Sequence, residues 1–332
     1  MNAASSRVVV LSGGVGAARF LNGLIDAIDP SRITTVVNTG DDTVLHGLSI
    51  SPDLDTITYT LAGAIDPDRG WGLRDESWRA IESLGRYAAI RPDGSAAAPQ
   101  WFNLGDQDLA THFYRTARLA EGATLTEVTD EIARAWNLPI RVIPMTDDRL
   151  STMVGIDAET RGGANDEGIE EISFQDYFVR LRHGVPVRSV RFDGAAAVSA
   201  PTRSAIEHAG VVVIAPSNPI VSIGPMRSLP GFDDLLIARR ERTVAVSPIV
   251  GGAALKGPAD RMLVELGHEA SVVGVARIYC EVAAALVIDP VDEHLAPQIE
   301  QTGMRCVVTP SVMSTPVIAR RLAESTIAAA IG

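Results

Sequence analysis

A chain of 332 residues that is 46% hydrophobic has apolar side chains enough for one large or two modest cores, and no apolar run reaches the roughly 18 residues of a membrane span. Its formal charge of −12 disfavours nucleic acid and anionic membrane as partners and favours a small-molecule ligand. Cys280 and Cys306 lie in no CxxC pair and near no metal-spaced histidine, so they are expected as two buried thiols rather than a disulfide or zinc site. The opening residues 1–7 lack the apolar core of a secretory signal, and the expected location is cytoplasmic.

Residues 7–11 are a β-branched apolar run that enters the glycine turn Ser12-Gly13-Gly14-Val15-Gly16, after which Phe20, Leu21, Leu24, Ile25 and Ile28 recur at helical spacing. Asp29-Pro30-Ser31 ends that helix, and residues 33–38 read as a second, parallel strand leading to Asp41-Asp42. Ser51 with Pro52 starts a helix that runs to about Ala62 and carries Asp53 and Asp55 in its first turn. Residues 66–130 change character to helices rich in Trp and Arg, and a capped run covers 124–136; flexible loops are expected at 91–99 and 161–168.

The parallel-sheet signature returns at 211–214, entering Ala215-Pro216-Ser217-Asn218-Pro219, and at 243–246, entering Ser247-Pro248. Residues 272–275 and 285–288 are expected as further strands, and 315–330 as a closing amphipathic helix. The fold class is α/β: a Rossmann-like parallel sheet core with a largely helical insertion. Residues 1–65 and 186–332 form the discontinuous core, and 66–185 the inserted helical and mixed subdomain.

Ligands of open parallel sheets bind beyond the carboxyl ends of the strands, so residues 13–16 and 41–42 are expected on one rim. Glycines there let backbone N–H groups approach a phosphate, whereas carboxylates repel phosphate unless a divalent cation lies between them. The turn is neither a dinucleotide fingerprint, since Arg19 stands where the third glycine or alanine belongs, nor a P-loop, since it lacks Gly-Lys-Ser/Thr. Arg19 is either a phosphate clamp or a solvated helix residue. Ser217-Asn218-Pro219, followed by Ser222-Ile223-Gly224-Pro225, is either a cradle for a base or diphosphate or a capped turn. Asp106 and Asp108 are helix-capping acids or site residues, His46 and His112 are acid–base candidates without a nucleophile at matching spacing, and Lys256, the only lysine, meets an anion or solvent.

Taken together, Ser12-Gly13-Gly14-Val15-Gly16, Asn38-Thr39-Gly40-Asp41-Asp42, Ser51-Pro52-Asp53-Leu54-Asp55-Thr56, the segment Leu104 to His112, Pro144-Met145-Thr146-Asp147-Asp148, Pro216-Ser217-Asn218-Pro219 and Ser247-Pro248-Ile249-Val250-Gly251 resemble, in order and over nearly the whole chain, the 2-phospho-L-lactate transferase family of coenzyme F-420 biosynthesis. The resemblance implies Mg2+-assisted transfer of a phospho-three-carbon-acid unit, phosphoenolpyruvyl or 2-phospholactyl, from a guanosine diphospho donor to the deazaflavin Fo, with release of GMP. By motif it makes Asp41 and Asp53 the metal ligands, with Asp42 behind them or as an alternative, and gives Asp55 an acceptor contact and a possible role as base. Gly13, Gly14, Gly16, Ser217, Asn218, Pro219, Ser222, Ile223 and Gly224 would hold the guanosine diphosphate. Asn103 occupies a position where some members place an acceptor contact with a charged residue. The resemblance also implies a homodimer, and the Asn38 to Asp42 form leans toward the phosphoenolpyruvate-derived donor of actinobacterial members. A nucleotide-sugar-binding regulator of the gluconeogenesis-factor type is the alternative, but Thr43-Val44-Leu45-His46 replaces its Gly-Gly-Ser-Ser-Gly stretch and Asp53-Leu54-Asp55 has no counterpart there.

Overall fold

Val8–Ser12 (β1) is buried throughout, and its alternate residues serve two cores: Val8 and Val10 pack on one face of the sheet, Val9 and Leu11 on the other. The computed structural model describes residues 6–161 and 168–331. Gly14–Ala27 (α1) follows the glycine turn, and Ile33–Val37 (β2) pairs parallel to β1 with Val8 opposite Ile33. Pro52–Leu61 (α2) begins one residue after Ser51, as the Ser-Pro start demands. Three helices then leave the sheet: Arg79–Ala88 (α3), Asp108–Ala120 (α4) and Leu125–Ala135 (α5). The last has a full capping box, in which the Thr124 hydroxyl accepts from Glu127 N and the Glu127 carboxylate accepts from Thr124 N.

Arg141–Pro144 (β3) returns to the sheet beside β2. A strand of the main sheet thus lies within residues 66–185. Beyond it the chain forms an antiparallel sheet of Ser151–Asp157 (β4), Ile169–Ser173 (β5) and Ser189–Asp193 (β6), in the order β5-β4-β6. Of the loop expected at 161–168, residues 162–167 lie outside the described residues.

The chain re-enters the core through Val211–Ile214 (β7) and Thr243–Val246 (β8). Ala285–Ile288 (β9) and Arg305–Val308 (β10) complete a seven-stranded parallel sheet in the order β10-β9-β8-β7-β1-β2-β3. Pro316–Ile331 (α6) packs on α1 over one face, burying Leu322 and Ala323 against Phe20, Leu21 and Leu24; each such Leu or Phe contributes about 1.5–3 kcal/mol.

Two expectations fail. Residues 272–275 belong to a helix, Val272–Tyr279, and not to a strand, because the Ser271 hydroxyl accepts from Val273 N and Gly274 N and so starts a helical turn. A Cβ on Gly274 would stand 1.9 Å from Glu269 O, so the turn is also too tight for a side chain there. Cys280 and Cys306 are free as expected, but half-buried rather than buried. No helix among the described residues is long and apolar enough to cross a membrane.

Candidate active site

The order of the sheet fixes where the site lies. From β1 the chain moves outward to β2 and β3 on one side and later returns to β7 on the other, so the loops after β1 and β7 diverge and open a crevice at the carboxyl edge. Ser217 spans that crevice: its hydroxyl donates to Gly13 O at 2.8 Å and lies 3.2 Å from Gly13 N. The backbones approach so closely that a Cβ on Gly16 would lie 2.3 Å from Pro216 O, while Gly14 takes φ +68. Gly14, Val15 and Gly16, the first turn of α1, line a cavity of about 850 Å³. Their N–H groups have no acceptor within the helix, which makes this an anion-binding end.

Asp41, at the end of the β2 loop, and Asp53 and Asp55, in the first turn of α2, are all buried and all line the cavity, and Asp53 reaches the start of α1, where its carboxylate accepts from Gly14 N. Asn38 aligns two of them, its Nδ2 donating to Asp41 Oδ1 at 2.6 Å and Asp53 Oδ2 at 2.9 Å, while its Oδ1 accepts from Gly40 N. Burial, and then repulsion from Asp53 and Asp42, pushes the Asp41 carboxyl well above its ordinary range. Burial likewise raises Asp53 to about 6 against the Asn38 and Gly14 hydrogen bonds. Among the described residues neither acid has an ion pair. Two adjacent, buried, uncompensated carboxylates suit a hard divalent cation such as Mg2+.

Asp55 is differently placed. Its carboxylate forms a bidentate pair with Arg115 of α4, which is only 2% exposed and also reaches Ser49 O. His112, one turn earlier on α4, sits with Nδ1 3.8 Å from Asp55 and Nε2 3.3 Å from Asp108, which accepts the Tyr59 hydroxyl at 2.6 Å. Burial alone would raise Asp108, but His112, Tyr59 and Arg115 outweigh it and hold the carboxyl below its usual value. One ligand atom each from Asp55, Asp108 and His112 lie within 4.8 Å of one another, a spacing a metal could use. The Arg115 guanidinium already compensates that cluster, so Asp41 and Asp53 are the better cation site on charge grounds.

Of the residues expected at the site, Gly13, Gly14, Gly16, Arg19, Asp41, Asp53, Asp55, Asn103, Ser217, Asn218 and Ser222 line the one cavity. Pro219, Ile223 and Gly224 do not; they shape the turn behind it, where Asn218 Oδ1 accepts from Ile220 N and Val221 N. Asp42 also lies off the cavity, accepting the Ser51 hydroxyl at 2.6 Å, and burial raises its carboxyl. Asp106 caps the start of α3, receiving Ser77 Oγ, Arg79 N and Ala80 N, and His46 lies outside the cavity. Sequence reasoning missed Arg115 and Tyr59, and it missed Gln175, which donates to Asp41 O at 2.9 Å and pins the small sheet to the acidic loop.

A parallel α/β sheet with a free helix N-terminus beside a carboxylate cluster at its switch point is the kind of crevice in which such sheets bind their ligands. The chain belongs to the family described as 2-phospho-L-lactate transferase CofD, whose model matches residues 8–314, and it is a transferase. It is similar to the phosphoenolpyruvate transferase of Kitasatospora aureofaciens, 38% identical over 328 residues and covering 98% of both chains. The phosphoenolpyruvate transferase of Streptomyces avermitilis is 40% identical over 311 residues, with 93% of each covered. That of Mycobacterium tuberculosis is 38% identical over 325 residues, covering 93% of this chain and 94% of its own. A solved structure of a UPF0052-family protein from Bacillus halodurans superposes with a TM-score of 0.58 at 13% identity, over 97% of this chain and 98% of its own, a likeness of fold alone.

Proposed function

We propose that this transferase moves a phosphoenolpyruvyl unit from a guanosine diphospho donor to the deazaflavin Fo, releasing GMP with Mg2+ assistance, in coenzyme F-420 biosynthesis. The observation that carries the reading is the meeting, in one cavity, of the α1 N-terminus and two buried acids without ion-pair partners. Relatives named phosphoenolpyruvate transferase at 38% and 40% identity favour the phosphoenolpyruvyl over the 2-phospholactyl donor.

In this reading Gly13, Gly14, Gly16, Ser217, Asn218 and Ser222 hold the diphosphate, and Pro219, Ile223 and Gly224 shape the loop that presents them. Asp41 and Asp53 hold the metal, which when bound would neutralise charge on the diphosphate as GMP leaves. The terminal ribityl hydroxyl of Fo attacks the phosphorus next to the acid: the new P–O bond forms, the bond to the GMP oxygen breaks, GMP leaves with that oxygen, and the hydroxyl proton passes to water. Asp55, fixed by Arg115, accepts a hydrogen bond from that hydroxyl and aligns it in line with the leaving group. Arg19 flanks the phosphates, and Asn103 lies on the acceptor side. Residues 1–65 and 186–332 serve nucleotide and metal while the helices within 66–185 cover the acceptor, and the protein works as a cytoplasmic homodimer.

The test is GMP release by purified protein. Release that requires both Fo and Mg2+ supports transfer; release at the same rate without Fo makes the protein a hydrolase and overturns the reading.

A further inference from the structure

Two segments that line the cavity and are far apart in sequence meet at Lys256. One follows β8 through the short hairpin of Ile249–Val250 and Ala253–Ala254, anchored where Gly251 N donates to Asp292 Oδ2 at 2.8 Å. The other is the arm after α2, closed by the Ile65–Leu73 bridge and by Arg74 N donating to Ala64 O. Lys256 Nζ lies 2.9 Å from the point a Cβ on Gly70 would occupy, and both residues line the cavity. Gly70, at φ +74, keeps that space open.

The two arginines of the arm are held within it: Arg69, which also lines the cavity and of whose buried nitrogens only Nε lacks a partner, pairs with Asp66 at 2.9 Å, donates to Leu73 O and lies 5.4 and 5.2 Å from the ring centroids of Trp71 and Trp78, while Arg74 donates to Gly63 O. Lys256 has no hydrogen bond or ion pair among the described residues, although four carboxylates, Asp41, Asp53, Asp55 and Asp108, line the same cavity. An ammonium left free there is available to a ligand anion.

Which anion follows from where the two segments come from. The diphosphate has the α1 N-terminus, Arg19 and the cation site. Lys256 belongs to the nucleotide side of the sheet yet reaches the arm on the acceptor side, and the only part of a donor that touches both sides is the unit being transferred. That unit carries a carboxylate, which would otherwise face a wall of carboxylates. We propose that Lys256 is a donor-specificity residue whose ammonium pairs with the carboxylate of the transferred three-carbon acid, an inference that rests on the transfer reading above.

The test uses the fact that the chain has a single lysine. Acetylation of the full-length protein with an amine-selective ester is followed at Lys256 by peptide mass spectrometry, in the presence of Mg2+ and either the phosphoenolpyruvyl donor or GDP, which lacks the carboxylate. The donor is expected to slow Lys256 acetylation about tenfold or more and GDP to leave it within about twofold. Equal protection by both ligands assigns Lys256 to the diphosphate and overturns the proposal, and so does protection by neither while the wild-type protein transfers normally. In kinetics, Lys256→Met is expected to raise the KM for the donor about tenfold to a hundredfold with GDP affinity unchanged, and Lys256→Arg to recover part of the loss. Wild-type kinetics for Lys256→Met refutes the inference alone, whereas a wild-type protein that makes no Fo adduct refutes the transfer reading itself.

Discussion

Replacing Asp53 by Asn is expected to stabilise the metal-free protein while destroying transfer. The amide is nearly isosteric and keeps one oxygen to accept from Asn38 Nδ2, so charge is the main thing removed. Moving the Asp53 carboxyl from 3.8 to about 6 means that its ionised form costs the folded state about 3 kcal/mol at pH 7.5. That shift is already the balance of burial against the hydrogen bonds from Asn38 and Gly14, so the gain expected for Asp53→Asn is about 3 kcal/mol at most. The sign with pH follows: the folded state holds the Asp53 proton more tightly than the unfolded chain, so wild-type stability falls as pH rises from about 4 through about 6. The advantage of the variant is therefore fully present at pH 7.5 and gone near pH 4. Urea denaturation in EDTA at those two pH values measures it, and a repeat in Mg2+ is expected to stabilise the wild type more than the variant. A variant less stable than wild type in EDTA at pH 7.5, or one that keeps the full Mg2+ response, refutes the assignment of Asp53 as an uncompensated metal carboxylate.

Arg115→Met is expected to cost about 3–5 kcal/mol of unfolding free energy, because it strands the buried Asp55 carboxylate; a loss below about 1 kcal/mol in the same denaturation assay contradicts the buried pair. Ser217→Ala removes the hydroxyl that ties the glycine turn to the β7 loop, and calorimetry is expected to show GDP binding weakened about fivefold to tenfold, with unchanged affinity counting against the crevice as the nucleotide site.

The parts of the fold carried by local pattern were legible. The β-branched runs at β1, β2, β7, β8 and β9 stand in the sheet, and Ser51-Pro52 and Thr124 mark the starts of α2 and α5. What was not legible depends on tertiary context. The run Val272 to Val275 is apolar on every side, and a short run of that kind has no period that separates a buried helix from a strand; the Ser271 cap decided it. β3 is four residues ending in Pro144, tolerable only because it is the sheet edge, and nothing in so short a segment announces a return to the core.

Site residues divide in the same way. The convergence of Gly13, Asp41 and Asp53 on one cavity was legible because loops at strand ends and helix starts meet on one rim. Arg115 was missed because an arginine on a helix reads as solvated; the available signal was Asp108, His112 and Arg115 at offsets of four and three along one face of α4, opposite the acids of α2. Ser51 held a different surprise: it stands at the N-cap position, yet its hydroxyl goes to Asp42 and not to the helix backbone.

The most direct measurement is the mass of the deazaflavin product when purified protein, Fo and Mg2+ are incubated with equimolar phosphoenolpyruvyl and 2-phospholactyl guanosine diphospho donors. The account predicts Fo bearing one phosphoenolpyruvyl group as the major product, with one GMP formed per adduct. Fo recovered unmodified while the donors are hydrolysed or untouched contradicts it.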